Sequence, residues 1–167
     1  MRHLILGAML CAGLGIGSPA QAQAVDPQLT SPITTFLAAF NKGDIAAAAA
    51  THAAGADLVI IDEVSPYMWR GAKAFMSWVA DLERNDKARG ITDQKVTLAA
   101  VTRVETDGAW AYVVVPSDYT FKEKGVPMRE RAQMTFALKK ETSGWSIHGW
   151  TWTGPRAQKA SGAAAAK

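Results

Sequence analysis

From Asp93 to Thr153 apolar and polar residues alternate with period two, and the pattern breaks only at Asp107-Gly108, Lys124-Gly125 and Ser143-Gly144. Side chains of a strand point alternately to its two faces, and X-Gly pairs supply the positive φ that tight reversals need. The spacing therefore predicts four strands in a meander, over about 93–105, 109–122, 127–140 and 145–153. In the third, Met128, Ala132, Met134, Phe136 and Leu138 share one face, with Glu130 the one acid among them. Arg129, Arg131, Gln133 and Thr135 share the other, so the sheet is half buried and needs a cover.

The first half of the chain supplies that cover. Thr30 or Ser31 can cap a helix with Pro32 at its first position, and Ile33, Phe36, Leu37 and Phe40 follow at helical spacing. Gly43 ends it, and Asp44 caps a second, alanine-rich helix to about Ala53. Leu58 to Asp62 reads as a short strand, and Pro66, Tyr67 and Trp69 as an irregular segment before Gly71. A third helix then places Phe75, Trp78, Val79 and Leu82 on one face and stops before Gly90. Helices followed by a meander make an α+β domain, a curved antiparallel sheet wrapped around three helices.

Arg2, the apolar run Leu4 to Leu14, and alternating alanines after Pro19 read as a signal peptide over 1–24, cleaved after Ala22 or Ala24. Leu10 stands before Cys11 where a lipid-attachment motif has a small residue, which argues against a lipoprotein. The expected location is the periplasm or the exterior. Cleavage removes the only cysteine, so the domain over 25–154 rests on its core alone. The remainder, 155–167, is alanine-rich and without an acid, and reads as a disordered tail. Four of the 18 Lys and Arg lie in leader and tail, and the 14 that remain face 15 acids. A neutral body of this kind argues against nucleic acid as a partner, and no second apolar stretch is long enough to span a membrane.

The order of these elements, with Phe40-Asn41-Lys42-Gly43-Asp44, then Asp57 to Gly71, then Gly144-Trp145-Ser146-Ile147 continuing to Gly154, resembles the nuclear transport factor 2-like superfamily and its SnoaL-like group. The resemblance implies a cone around an apolar pocket, and a homodimer formed through the outer face of the sheet, where Trp110 or Trp145 would lie. Members range from ketosteroid isomerases, dehydratases, cyclases and epoxide hydrolases to modules that only bind.

Residue by residue, the resemblance places a general base at Asp62. Its isomerase tyrosine falls on Phe36 and its protonated aspartate at or near Met134, and neither residue can donate a proton to an enolate. Ketosteroid isomerisation by that route is therefore rejected, since each lost donor costs about 3–4 kcal/mol of transition-state stabilisation. His148, Trp150 and Trp152 alternate along the last strand and share one face, with Trp145, Ile147, Gly149 and Thr151 on the other; the resemblance implies that the histidine face looks into the cone. An inward His148 would act as general acid beside Asp62, or merely make one hydrogen bond at the pocket edge. Tyr67, Trp69, Trp78, Met134, Trp150 and Trp152 are the expected pocket wall, suited to a small hydrophobic or aromatic molecule. Asp62 and Glu63 should point apart, and Glu123, Arg129, Glu130 and Arg131 read as solvated strand surface or as charges at the rim of a dimer interface. His52 and His148 sit on separate elements with no carboxylate at ligand spacing, so neither metal nor other cofactor is expected. Three accounts remain open: a binding module; a lyase, isomerase or cyclase with Asp62 as base and His148 as acid; or a structural dimer with no ligand, its cavity filled by side chains.

Overall fold

The computed structural model describes residues 26–55 and 57–160; the leader with its cleavage positions, and residues 161–167, lie outside the described residues. Helix α1 spans Pro27–Asn41. It starts earlier than Thr30 because Asp26 accepts from the Gln28 amide at 2.9 Å and Pro27 sits where the first turn leaves an amide unpaired, so Pro32 lies inside the helix. Asp44 caps α2, Ile45–Ala49, by accepting from the Ala47 amide at 3.0 Å. That helix stops short of Ala53 because the sheet captures the chain: the Ile147 amide donates to Thr51 O at 3.0 Å, and the Ala53 amide to Ile147 O at 2.8 Å.

Strand β1, Val59–Ile61, pairs with β2, Met68–Arg70, in the segment read as irregular. Helix α3 spans Ala74–Arg89. The first meander strand is split into β3, Ile91–Leu98, and β4, Arg103–Asp107. Strands β5, Trp110–Glu123, β6, Val126–Glu141, and β7, Gly144–Thr153, follow as expected. The sheet runs β2-β1-β7-β6-β5-β3, with β4 also beside β5. It is mixed rather than wholly antiparallel, because β1 lies parallel to β7.

This curved sheet wraps the helices. Phe36 and Ile33 of α1 meet Val113 and Val115 of β5, Phe136 and Leu138 of β6 and Ile147 of β7 in one fully buried core. Burying each such side chain stabilises the fold by roughly 1.5–3 kcal/mol. The Asn41 amide fastens the end of α1 to the β3 edge, donating to Val96 O at 2.7 Å and accepting from Val96 N at 2.9 Å. An edge strand is thereby occupied on its open side.

Two features differ from the expected pattern and both shape the site. The β6–β7 register slips between Ala137 and Leu138, so that Ala137 faces Gly149 while Leu138 faces Ile147, and His148 is the extra residue of a β-bulge. Beyond it the alternation is inverted. Ile147 and Trp145 join the core side, contrary to the expected outward face, while Trp150 and Trp152 keep theirs. The tail also departs from the disorder expected of it over 155–160: β8, Gln158–Lys159, pairs with Arg129 and Met128 on β6. A glycine is needed where this segment turns back, since a Cβ at Gly154 would sit 2.8 Å from both Ala132 Cβ and Glu130 Oε1.

Candidate functional site

Between α1, α3 and the concave face of the sheet lies a cavity of about 640 Å³. That is within the range of small-molecule sites. Of the expected wall, Trp78, Met134, Trp150 and Trp152 line it, and Tyr67 reaches its rim, 60% exposed with a φ of 75°. Trp69 does not line it. Its ring is buried, and its indole N–H donates to Asp81 Oδ2 at 2.7 Å, which ties β2 to α3.

Asp62 follows β1 directly and does enter the cavity. Its Oδ2 accepts from the Trp78 indole at 2.6 Å and its Oδ1 from the Glu63 amide at 2.7 Å. Burial nonetheless outweighs these donors and raises its pKa above the ordinary carboxylate value. A carboxyl group so placed can hold or take a proton inside an apolar space.

His148 is not in the cavity. The bulge turns it to the outer face, where its Nε2 lies 3.0 Å from Glu141 Oε1 and its ring meets Trp110 edge-on at 5.1 Å. A dyad with Asp62 is excluded by this placement, and so is the pocket-edge role. Strict alternation would have brought His148 inward; one inserted residue reverses it.

The histidine that does serve the cavity is His52. The chain after α2 runs beside β7, so Nε2 of His52 accepts from the Trp150 indole at 3.1 Å while Nδ1 lies 3.0 Å from Ala48 O. Those partners assign the proton to Nδ1, and burial lowers the pKa to about 4. His52 is thus a neutral prop that fixes the Trp150 ring.

A second carboxyl group also reaches the cavity. Glu63 lines the same space as Asp62 rather than pointing away from it, because β1 ends at Ile61 and the chain turns. Behind it stands Glu130, only 1% exposed on the concave face of β6 and not the solvated residue expected. Its Oε1 accepts from the Trp152 indole at 2.7 Å, while Oε2 finds no donor among the hydrogen-bonded groups of the described residues. Two carboxylate oxygens attract only with a proton between them. Burial, then the neighbouring Glu130 charge, push the Glu63 pKa up to about 7, against the opposing pull of Arg89 and Arg156.

The far wall was not anticipated either. Tyr119 of β5 projects inward beside Trp152, their rings 6.1 Å apart, and donates to Gln94, whose amide donates to Asp86 Oδ2 at 2.7 Å. Burial raises the Asp86 pKa, and it raises that of Tyr119 with help from the Asp86 charge. Arg89 reaches the same space but is gripped by Glu123 through two hydrogen bonds of 3.1 Å. Arg156 and Ala157, from the returning tail, complete the lining. Inward parity with Phe121 on β5 was the available sign for Tyr119. No sequence sign marked Arg156, because the returning tail follows no periodic pattern.

At the positions aligned with isomerase proton donors, Phe36 and Met134 both line the cavity, and neither carries a donor. No grouping of three or more His, Asp or Glu side chains placed to hold a metal occurs among the described residues.

The sequence profile of the SnoaL-like domain matches residues 30–151. No curated protein matches the sequence. Similar solved structures include a ketosteroid isomerase-like protein from Erwinia carotovora atroseptica, 22% identical with a TM-score of 0.60, over 80% of this chain and 98% of that one. A nuclear transport factor 2-like superfamily protein from Salmonella enterica is 15% identical with a TM-score of 0.63, over 84% and 95%. A hexachlorocyclohexane dehydrochlorinase is 10% identical with a TM-score of 0.66, over 84% and 91%. At these identities the likeness establishes the shared cone fold and leaves the chemistry to the residues.

Proposed function

Since the chain belongs to the SnoaL-like domain family, we propose that it is a small-ligand-binding domain that takes a hydrophobic or aromatic molecule into the cone. The observation that carries this reading is the cavity of about 640 Å³ walled by Phe36, Trp78, Met134, Trp150 and Trp152. Flat apolar faces at several angles suit a ring system better than a flexible polar substrate. Three indoles in the wall provide the assay. Titration with steroids, aromatic acids and lipids should quench tryptophan fluorescence saturably for at least one class; an unchanged signal across all of them rejects the reading.

Asp62 supports a second reading, proton transfer of the lyase, isomerase or cyclase type. Its carboxyl group faces the cavity and its pKa is raised by burial, as a base for a carbon acid requires. His148 has no part in this version, since it lies on the opposite face of the sheet. Asp62→Asn keeps an oxygen for the Trp78 indole, so turnover of a correct substrate should fall by about 100-fold or more with an unchanged melting temperature. Full activity in that variant removes Asp62 from the mechanism.

Export through the signal peptide of 1–24 belongs to the same proposal, and amino-terminal sequencing of a periplasmic fraction checks it. So does a homodimer seated on the outer face, where Trp110 and Tyr112 are 46% and 43% exposed. Trp145 is not available to that seam, because the bulge turns it inward.

A further inference from the structure

The cavity has apolar walls but an acidic interior. Asp62, Glu63 and Asp86 line it, and Glu130 stands behind Glu63. Of the two cations at its lining, Arg89 is engaged by Glu123, which leaves Arg156 alone against this group. Each indole in reach already has its N–H engaged by a side chain: Trp78 by Asp62, Trp152 by Glu130 and Trp150 by His52. What faces a ligand is therefore mostly ring surface and carboxyl oxygen, with the Asn85 and Gln94 amides and Arg156 among the other polar groups.

An anionic ligand would meet like charge from Asp62, Glu63 and Asp86. A neutral one would leave the buried acids to hold their protons. A cation reverses both costs, since it is attracted by the faces of Trp and Tyr and lets neighbouring carboxyl groups ionise. We propose that the molecule this cavity takes is an apolar or aromatic amine, its ammonium group seated among Asp62, Glu63 and Asp86 and its hydrocarbon body against Trp78, Trp150 and Trp152. This rests on the reading of the cavity as a ligand site and adds the charge of the ligand to it.

Calorimetric titration of the wild-type domain with three molecules of matched shape tests the inference without any mutation: naphthylmethylamine, naphthylmethanol and naphthoate. The amine should bind about 10-fold or more tighter than the alcohol, and the naphthoate weakest of the three. Because Glu63 is faced by Glu130 from β6, by Arg89 from α3 and by Arg156 from the tail, raising the pH through about 7 should widen the amine's advantage as this acid ionises. Glu63→Gln should cut the amine-to-alcohol affinity ratio about 10-fold and abolish that widening. Equal or tighter binding of the alcohol or the naphthoate overturns the charge selectivity and leaves the cavity reading intact. Failure of all three to bind overturns both.

Discussion

His52 and Glu63 respond to pH in opposite senses. The folded pKa of His52, about 4, lies below its ordinary 6.5, so the unfolded chain takes up protons that the fold refuses. Its contribution is present above about 6.5 and is lost as pH falls through about 4, a change on the order of 3 kcal/mol. Glu63 runs the other way: its folded value of about 7 lies above its ordinary 4.5, so its contribution is complete below about 4.5 and is lost as pH rises through about 7. Glu63→Gln should therefore raise the melting temperature relative to wild type near pH 8, with little gain near pH 4, in thermal scans at both values. His52→Leu should flatten the acid limb. At neutral pH it should cost about 1–3 kcal/mol in urea unfolding, because the Trp150 indole loses its acceptor. Apolar wall residues such as Trp78, Met134 and Trp150 were legible in the sequence, because burial and period reveal them. The buried polar ones were less so: His52 acquires its role from a contact 98 residues away along the chain, and Glu130 has the parity of the apolar face of β6 but a charge that argues for solvent until the curve of the sheet encloses it.

Among the elements, the long strands were legible because alternation over ten or more residues overrides local ambiguity, and their turns carry glycine. The short β1 was legible from its β-branched run, but β2 and the returning β8 were not, since strands of two or three residues exist only through their partners. The parallel joint between β1 and β7 depends on Gly149, where a Cβ would lie 3.0 Å from Val59 O. Gly149→Ala should destabilise the domain by about 1–3 kcal/mol, with amide exchange accelerated first in β1 and β2. The bulge at His148 was invisible for a different reason. A register slip leaves no mark in composition, yet it decides which tryptophans enter the core and which histidine stays outside it.

At the scale of the whole molecule, the concave side of the cone holds the cavity proposed for a ligand and its outer side the surface proposed for a partner copy. Replacing Trp110 by Ser on the outer face should shift sedimentation velocity from dimer to monomer without altering ligand affinity, as the ring packs against His148 and Lys139 and away from the cavity. The chain after Gly154 acts on the inner side instead. Arg156 and Ala157 form part of the lining, and β8 holds them there by pairing with β6. Order matters here, because β7 and the segment through Lys159 are the last described parts to leave the ribosome. Until they arrive, β1 has no parallel neighbour, the Trp150 and Trp152 rings are missing, and the hollow has no closing wall. A partly emerged chain can thus collapse around its helices but lacks the wall against which the proposed ligand would rest.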